Sequence, residues 1–225
     1  MAEGGVIGAS SETAARRRGP QTREQIREAA VDLFAQLGYH ATSMRQIADA
    51  AGIRAAAIYH WYENKEALLI ELQDDFLEKL EERVNAAVEL QTRPALRLAA
   101  AVREHVAFHG VHQQWAFATD TEIRALSDGP RTALIAKRDA YEDSFARMIG
   151  AGIDDGSLST PEVKVATYAI LLQCTGVDAW FNPDGRLSLD EVAQLHVELI
   201  LSSLQAKPKV IAEAVESVCT KGSAG

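Results

Sequence analysis

Cysteine is nearly missing from this 225-residue chain: Cys174 sits in an apolar run and Cys219 near the end. Two such thiols exclude a disulfide-framed secreted fold, fit a reducing compartment, and are expected to be inert. Long apolar runs are missing too. The opening stretch MAEGGVIGASSETAARRRGP lacks the roughly 7–15-residue apolar segment of a secretory signal, and nowhere do about 18 apolar residues pass without a charge. A soluble cytoplasmic protein, with no membrane partner, is therefore expected. Glycine-rich phosphate loops and nucleophile elbows are absent, so neither an enzyme nor a cofactor is expected.

A basic excess is also lacking. The formal net charge is −9, which at first argues against nucleic acid. The sign is unevenly spread, however: residues 1–65 hold eight Lys and Arg against seven Asp and Glu, and residues 66–225 hold fifteen against twenty-five. A small head with exposed cations can meet phosphates while an acidic body faces away. What the chain has in quantity is hydrophobic residues, 47%, enough for a substantial buried core.

Residues 1–19 are rich in Gly, Ala, Ser and Arg without periodicity and are expected to form a flexible arm ending in Arg16, Arg17 and Arg18. From Thr22, apolar residues recur at helical spacing through Ile26, Ala29, Ala30, Leu33, Phe34 and Leu37 until Gly38 stops the helix. Ser43-Met44-Arg45-Gln46 then matches a capping box, and Met44, Ile47, Ala48 and Ala51 give the second helix a narrow apolar face before Gly52. Ile53 to Tyr59 is predicted to form a further two-turn helix. Two short helices around a Gly-containing turn, placed after a longer one, are a helix-turn-helix arrangement.

Beyond Lys65 no strand pattern alternates. Helices are predicted over about 65–91, 95–109, 112–127, 131–155, 161–181 and 188–206, with an extra turn or helix in 208–219. Breaks are expected near Arg93-Pro94, Gly110, Gly129-Pro130, Gly156 to Pro161 and Asn182 to Arg186. The fold class is all-α, with a three-helix head over residues 20–64, a helical-bundle ligand-binding and dimerisation domain over 65–206 and a tail over 207–225. Val163 to Trp180 is apolar over much of its circumference, and Leu189, Val192, Leu195, Leu199 and Ile200 add a second stripe. Paired across a two-fold axis, these two segments would make a four-helix homodimer interface; the alternative is that both are internal.

The order Ala41-Thr42-Ser43-Met44-Arg45-Gln46-Ile47-Ala48, Ala51-Gly52-Ile53, Ile58-Tyr59-His60-Trp61-Tyr62 and Asn64-Lys65-Glu66-Ala67-Leu68 resembles the DNA-binding domain of the tetracycline-repressor family over about 50 residues. The resemblance implies a dimeric regulator on a palindromic double-stranded operator. It places Thr42, Ser43, Tyr59, His60 and Lys65 on phosphates, where they position without specifying. Short side chains at Ala55 and Ala56 suit a close approach to the major groove, and Arg45 and Arg54 are the candidate base readers. Trp61 is expected in the core of the head. The chain departs from the family pattern at Arg54, where a Ser or Thr cap is usual, and at Ala56, where Gly is common, so the operator sequence does not carry over.

Aromatic and polar residues interleave the body helices at Phe108, Trp115, Phe117, Tyr141, Phe145, Tyr168, Gln173 and Trp180; they either line a pocket or fill the core. Segments around Glu122-Ile123-Arg124-Ala125-Leu126, Arg138 to Phe145 and Ala179 to Ser188 resemble family members of fatty-acid or sterol breakdown. That likeness implies a small hydrophobic inducer such as an acyl-CoA, with Arg124, Arg131 and Arg138 as phosphate contacts or plain surface arginines. His105, His109 and His112 share one helical face if the helix passes Gly110, and are open to a metal, a pocket lining or an ordinary role. The alternatives to an acyl-CoA-released repressor are one with an aromatic or drug-like inducer, and a helical interaction protein without operator binding.

Overall fold

The computed structural model describes the backbone of residues 9–219 and the side chains of 21–218. These residues form ten α-helices and no strand: α1 (Ala9–Leu37), α2 (Met44–Ala50), α3 (Lys65–Glu89), α4 (Pro94–Val111), α5 (Gln113–Thr121), α6 (Asp128–Asp154), α7 (Val163–Thr175), α8 (Val177–Trp180), α9 (Leu189–Ser203) and α10 (Pro208–Cys219). Single 3-10 turns occupy Ile58–His60 and Glu122–Ala125. The all-α class with an N-terminal helix-turn-helix stands.

Local chemistry sets most of the starts. Ser43 caps α2 in a reciprocal box with Gln46, and Ser188 does the same for α9 with Glu191. Asn64 accepts from the Ala67 amide at 2.8 Å to open α3, and Pro94 stands at the first position of α4, where no N–H is needed. Gly52, at φ 69°, takes the left-handed conformation that the turn after α2 requires.

Several expectations need correction. Helix α1 begins at Ala9, not Thr22, so residues 9–19 are helical where a flexible arm is predicted; Ala, Glu and Arg there are good helix formers. Residues 1–8, and the side chains of Arg16, Arg17 and Arg18, lie outside the description. The predicted two-turn helix over Ile53–Tyr59 is a turn followed by one 3-10 turn. Its bonds run mostly from i+3, as in Ala57 N to Arg54 O at 2.8 Å, because the segment is short and has no side-chain cap. Helix α4 continues through Gly110, and α6 starts at Asp128 with Gly129 and Pro130 inside its first turn. The predicted 161–181 helix divides at Gly176 into α7 and α8. Residues 208–219 are a helix whose Ala214 and Val218 are buried in the body rather than part of a tail.

Two apolar clusters organise the molecule. The head cluster joins Ile26, Ala30 and Phe34 of α1, Met44, Ile47 and Ala48 of α2, and Ile58 and Tyr62. It also takes Leu68, Leu69 and Leu72 of α3, and Ala118, Leu126 and Leu134 from the α5–α6 corner. A boundary between residues 64 and 65 therefore cuts through one core. The body cluster surrounds α4, whose Leu98, Ala99, Ala101, Val102 and Val106 are fully buried.

Gly110 explains why its helix does not break there. A Cβ at this position would lie 2.3 Å from Leu189 Cδ1, so glycine leaves room for the side chain that α9 lays against α4. Gly110→Ala should lower stability by only about 1 kcal/mol, because alanine's gain in helix propensity of about 1 kcal/mol offsets part of the overpacking against the Leu189 side chain. Urea unfolding checks this, and a Leu189→Ala, Gly110→Ala double variant should recover part of the loss.

Candidate functional site

The helix-turn-helix presents one exposed face. Ser43, Arg45, Arg54, Ala56, Tyr59 and His60 are all exposed, and Ala55 is half-buried against the head core. Arg45 keeps 83% of its side-chain surface, with Asp49 the nearest carboxylate at 3.9 Å. Trp61, predicted as core, is instead 39% exposed; the buried aromatic is Tyr62, whose hydroxyl donates to Glu71 at 2.7 Å. Arg23 and Arg27 of α1 bind Glu71 and Asp75 of α3, so the head is braced on that helix.

Two of the expected phosphate contacts make internal hydrogen bonds. Thr42 is 2% exposed, and its hydroxyl donates to Gly38 O at 2.9 Å and Leu33 O at 3.3 Å, closing the end of α1. Lys65 donates to the carbonyls of Tyr39 and Thr42 and lies 4.1 Å from the Tyr39 ring centroid. Burial lowers the Lys65 pKa from its ordinary value. The Tyr39 peptide is held from both sides, since its amide donates to Glu122 Oε1 at 3.0 Å. Ser127 N likewise donates to Glu66 Oε1 at 2.6 Å, a second tie between the α5–α6 corner and the start of α3.

Below the head, α3, α4, α5, α6 and α7 line a partly open cavity of about 170 Å³. Phe76, Leu77, Leu80 and Leu171 form its apolar wall, and His105, His109, Tyr141, Thr175, Asp120 and Arg138 its polar one. The rings of His105 and His109 stack at 4.3 Å with 4° between their planes. His105 Nδ1 is 2.9 Å from the Tyr141 hydroxyl and Nε2 is 3.1 Å from Thr175 Oγ1, while His109 Nδ1 meets His105 O at 3.0 Å. Burial keeps both imidazoles neutral, pushing His109 down to about 4. His112 packs on Phe108 and Trp115, so the three histidines do not converge on a point; among the described residues no group of His, Cys, Asp or Glu is placed to hold a metal.

Of the predicted ligand residues, Tyr141 lines the cavity. Phe108 and Phe145 are buried in the core around it, and Trp115 packs on Phe76 while its indole donates to Leu72 O at 3.1 Å. Phe117, Arg124 and Tyr168 are exposed and away from it. Helical periodicity turns Phe117 and Tyr168 outward, and Arg124 sits on the 3-10 turn. Gln173 and Trp180 line a separate outer groove with Leu172, Leu195, His196 and Leu199. Sequence reasoning missed Gln73 and Thr119. Gln73 carried a signal, since a glutamine between Leu72 and Phe76 on an apolar face is a buried polar group in search of a partner; it donates to Thr119 O at 2.8 Å.

The neutral histidines make stability depend on pH. An unfolded histidine titrates near 6.5, so between that value and about 4 the unfolded chain binds a proton that folded His109 does not. Its contribution is fully present above pH 6.5 and is lost as pH falls through the window, by on the order of 3 kcal/mol. The difference in urea-unfolding free energy between wild type and His109→Asn should therefore shrink from pH 7 to pH 4. A constant difference would contradict the neutral assignment.

The sequence and the fold both match known proteins. Residues 26–72 match the bacterial regulatory proteins of the tetR family, and residues 91–204 match the tetracyclin repressor-like C-terminal domain. The HTH-type transcriptional repressor KstR2 of Mycobacterium tuberculosis is 30% identical over 188 residues, covering 81% of this chain and 92% of that protein. A tetR-family regulatory protein from Rhodococcus RHA1 superposes with a TM-score of 0.78 at 27% identity, over 83% of this chain and 98% of that one. The regulator AibR, solved with isovaleryl coenzyme A and operator DNA, does so at 0.70 and 26%, over 79% and 97%. With an exposed helix-turn-helix, a helical body behind it and matches spanning both, this chain belongs to the tetR family of bacterial regulatory proteins.

Proposed function

We propose that the protein is a homodimeric transcriptional repressor released from a palindromic operator by a hydrophobic small molecule, an acyl-CoA thioester being the favoured inducer. The observation that carries this reading is a cavity whose wall is α3, the helix that also builds the head core. Gln73, Phe76, Leu77 and Leu80 line the cavity, while Leu68, Leu69 and Leu72 pack in the head. A helix of 25 residues spans about 37 Å and bends little, so a ligand that displaces its middle moves its start.

An acyl thioester fits in part. An apolar cavity of about 150 Å³ accepts a benzene ring, so this one takes a short or branched acyl group while the nucleotide stays outside. The complex of AibR with isovaleryl coenzyme A supports the same class. On the DNA side, Arg45 and Arg54 read bases and Ser43, Tyr59 and His60 hold phosphates. Thr42 and Lys65 act behind them by shaping the turn.

Dimerisation is supported by the outer face of α7–α9. Val165, Tyr168, Leu172, Trp180, Leu195 and Leu199 are exposed there, a concentration of apolar side chains that a second copy would cover. Two heads on one dimer would then meet successive major grooves of a symmetric site, and ligand binding would change their separation at a coupling of about 1–3 kcal/mol.

Fluorescence anisotropy of the protein on its own upstream intergenic DNA, at two salt concentrations, tests the reading. Salt-sensitive binding that acyl-CoA weakens is expected. Arg45→Ala with Arg54→Ala should reduce affinity at least tenfold, about 1.4 kcal/mol or more. Binding indifferent to acyl-CoA would discard that inducer, and no binding at either salt would discard the operator. Separately, Leu172→Glu with Leu199→Glu should give a monomer by light scattering, and a persistent dimer would place the interface elsewhere.

A further inference from the structure

Arg138 of α6 is the one cation among the residues lining the cavity, because His105 and His109 are neutral there. Its contacts are unusual. A single nitrogen, Nη2, serves three acceptors, Gln73 Oε1, Thr119 O and Asp120 Oδ1, each at the long distance of 3.2 Å. Nη1 and Nε make no hydrogen bond among the described residues. A guanidinium offers five donors, and its side chain is one-third exposed, so protein partners take up only part of its capacity.

Its partner Asp120 is no better satisfied. Asp120 Oδ2 is buried with no hydrogen-bond partner, and burial raises the carboxyl above its usual range. An orphaned buried oxygen costs about 1–3 kcal/mol, so Arg138 satisfies only half of this carboxyl. Two residues further along, Glu122 accepts from the Tyr39 amide of the head, and the Glu122 amide itself closes the end of α5 on Ala118 O. One short segment thus touches the cavity wall at Thr119 and Asp120 and holds the head at Glu122.

Resting on the ligand-responsive reading above, we propose that Arg138 is the cavity's sensing residue: it exchanges its hold on Thr119 and Asp120 for an accepting oxygen on the ligand, and thereby loosens Glu122's grip on Tyr39. The oxygen it takes is a neutral carbonyl. Asp120 and Glu142 both line the same cavity, and a ligand carboxylate would meet two negative groups with one arginine to offset them. This route runs through the α5–α6 corner and is separate from any tilt of α3.

Exchange of the Tyr39 amide, resolved by NMR without DNA, tests it. Glu122→Ala should raise the Tyr39 exchange rate on the order of tenfold, and Arg138→Ala should do the same from across the cavity. Arg138→Lys, which keeps a donor toward Thr119, should retain most of the protection. Adding Arg138→Ala to Glu122→Ala should cause no further rise, since both act on one contact. A Tyr39 rate unchanged by Arg138→Ala, or strict additivity of the two variants, would overturn the route. So would an equal rise at core amides of α9 such as Val197, which would report general loosening. Isovaleryl-CoA should raise the wild-type rate more than isovalerate does and leave the Arg138→Ala rate where it is. If isovalerate acts as strongly, the carbonyl assignment fails. If isovaleryl-CoA does nothing while Arg138→Ala still raises the rate, the acyl reading fails and the route stands.

Discussion

Helix α3 is shared between two hydrophobic cores, and the rest of the structure depends on that sharing. Its first two turns place Leu68, Leu69 and Leu72 in the head, and its later turns place Phe76, Leu80, Val84 and Val88 in the body. Neither set can leave its cluster without exposing apolar surface at about 25 cal/mol per Å². The head is therefore fixed to the body by burial, not merely tethered to it. Ions add direction: Arg23 and Arg27 reach from α1 to Glu71 and Asp75 on the same helix.

The DNA-facing segment shows why this support is needed. Helix α2 has seven residues and the segment after it only a single 3-10 turn, lengths at which an isolated helix does not persist in water. Their geometry is imposed by Ile47, Ala48 and Ile58 in the head core, by the Ser43–Gln46 box, and by Lys65 drawing in the carbonyls of Tyr39 and Thr42. Residues that resemble phosphate contacts can instead be what shapes the surface. Thr42 is the clearest example, because a hydroxyl bonded to two carbonyls at the end of α1 has no proton left for a phosphate.

Much of the fold was legible because helices announce their ends locally. Ser43, Ser188 and Pro94 mark starts that the structure shares within a residue or two, and the apolar stripes of α1 and α2 face the head core as their spacing implies, except for the exposed Leu37. Legibility failed where the deciding partner is remote in sequence. Gly110 reads as a stop until Leu189 is known to cross it, and Trp61 reads as core until Tyr62 is seen in its place. The cavity was the least legible part. Periodicity shows that Tyr141 and Phe145 face inward, but not that Asp120, Arg138 and Thr119 from two elements meet Gln73 from a third. Side-chain type alone had drawn Phe117, Tyr168 and Trp180 to the pocket, and all three belong to outer faces.

The polar wall of the cavity divides into two halves with different energetic characters. His105, His109, Tyr141 and Thr175 are joined by bonds of 2.9–3.1 Å, which polarise one another and hold the rings rigidly stacked. Arg138 and Asp120 are joined by one long contact and leave donors and an acceptor unmatched. A ligand entering between them meets one side that resists change and one that gains hydrogen bonds by changing. The unmatched carboxylate oxygen costs about 1–3 kcal/mol, the same size as a typical allosteric coupling energy. A ligand carbonyl, itself an acceptor, leaves that oxygen unmatched; what it gains is a charge-assisted hydrogen bond from Arg138, about 1.5–3 kcal/mol, which is of the magnitude regulation requires. The imperfect half of the wall is thus the half physically suited to report the ligand, while the satisfied half sets the shape that the ligand must fit.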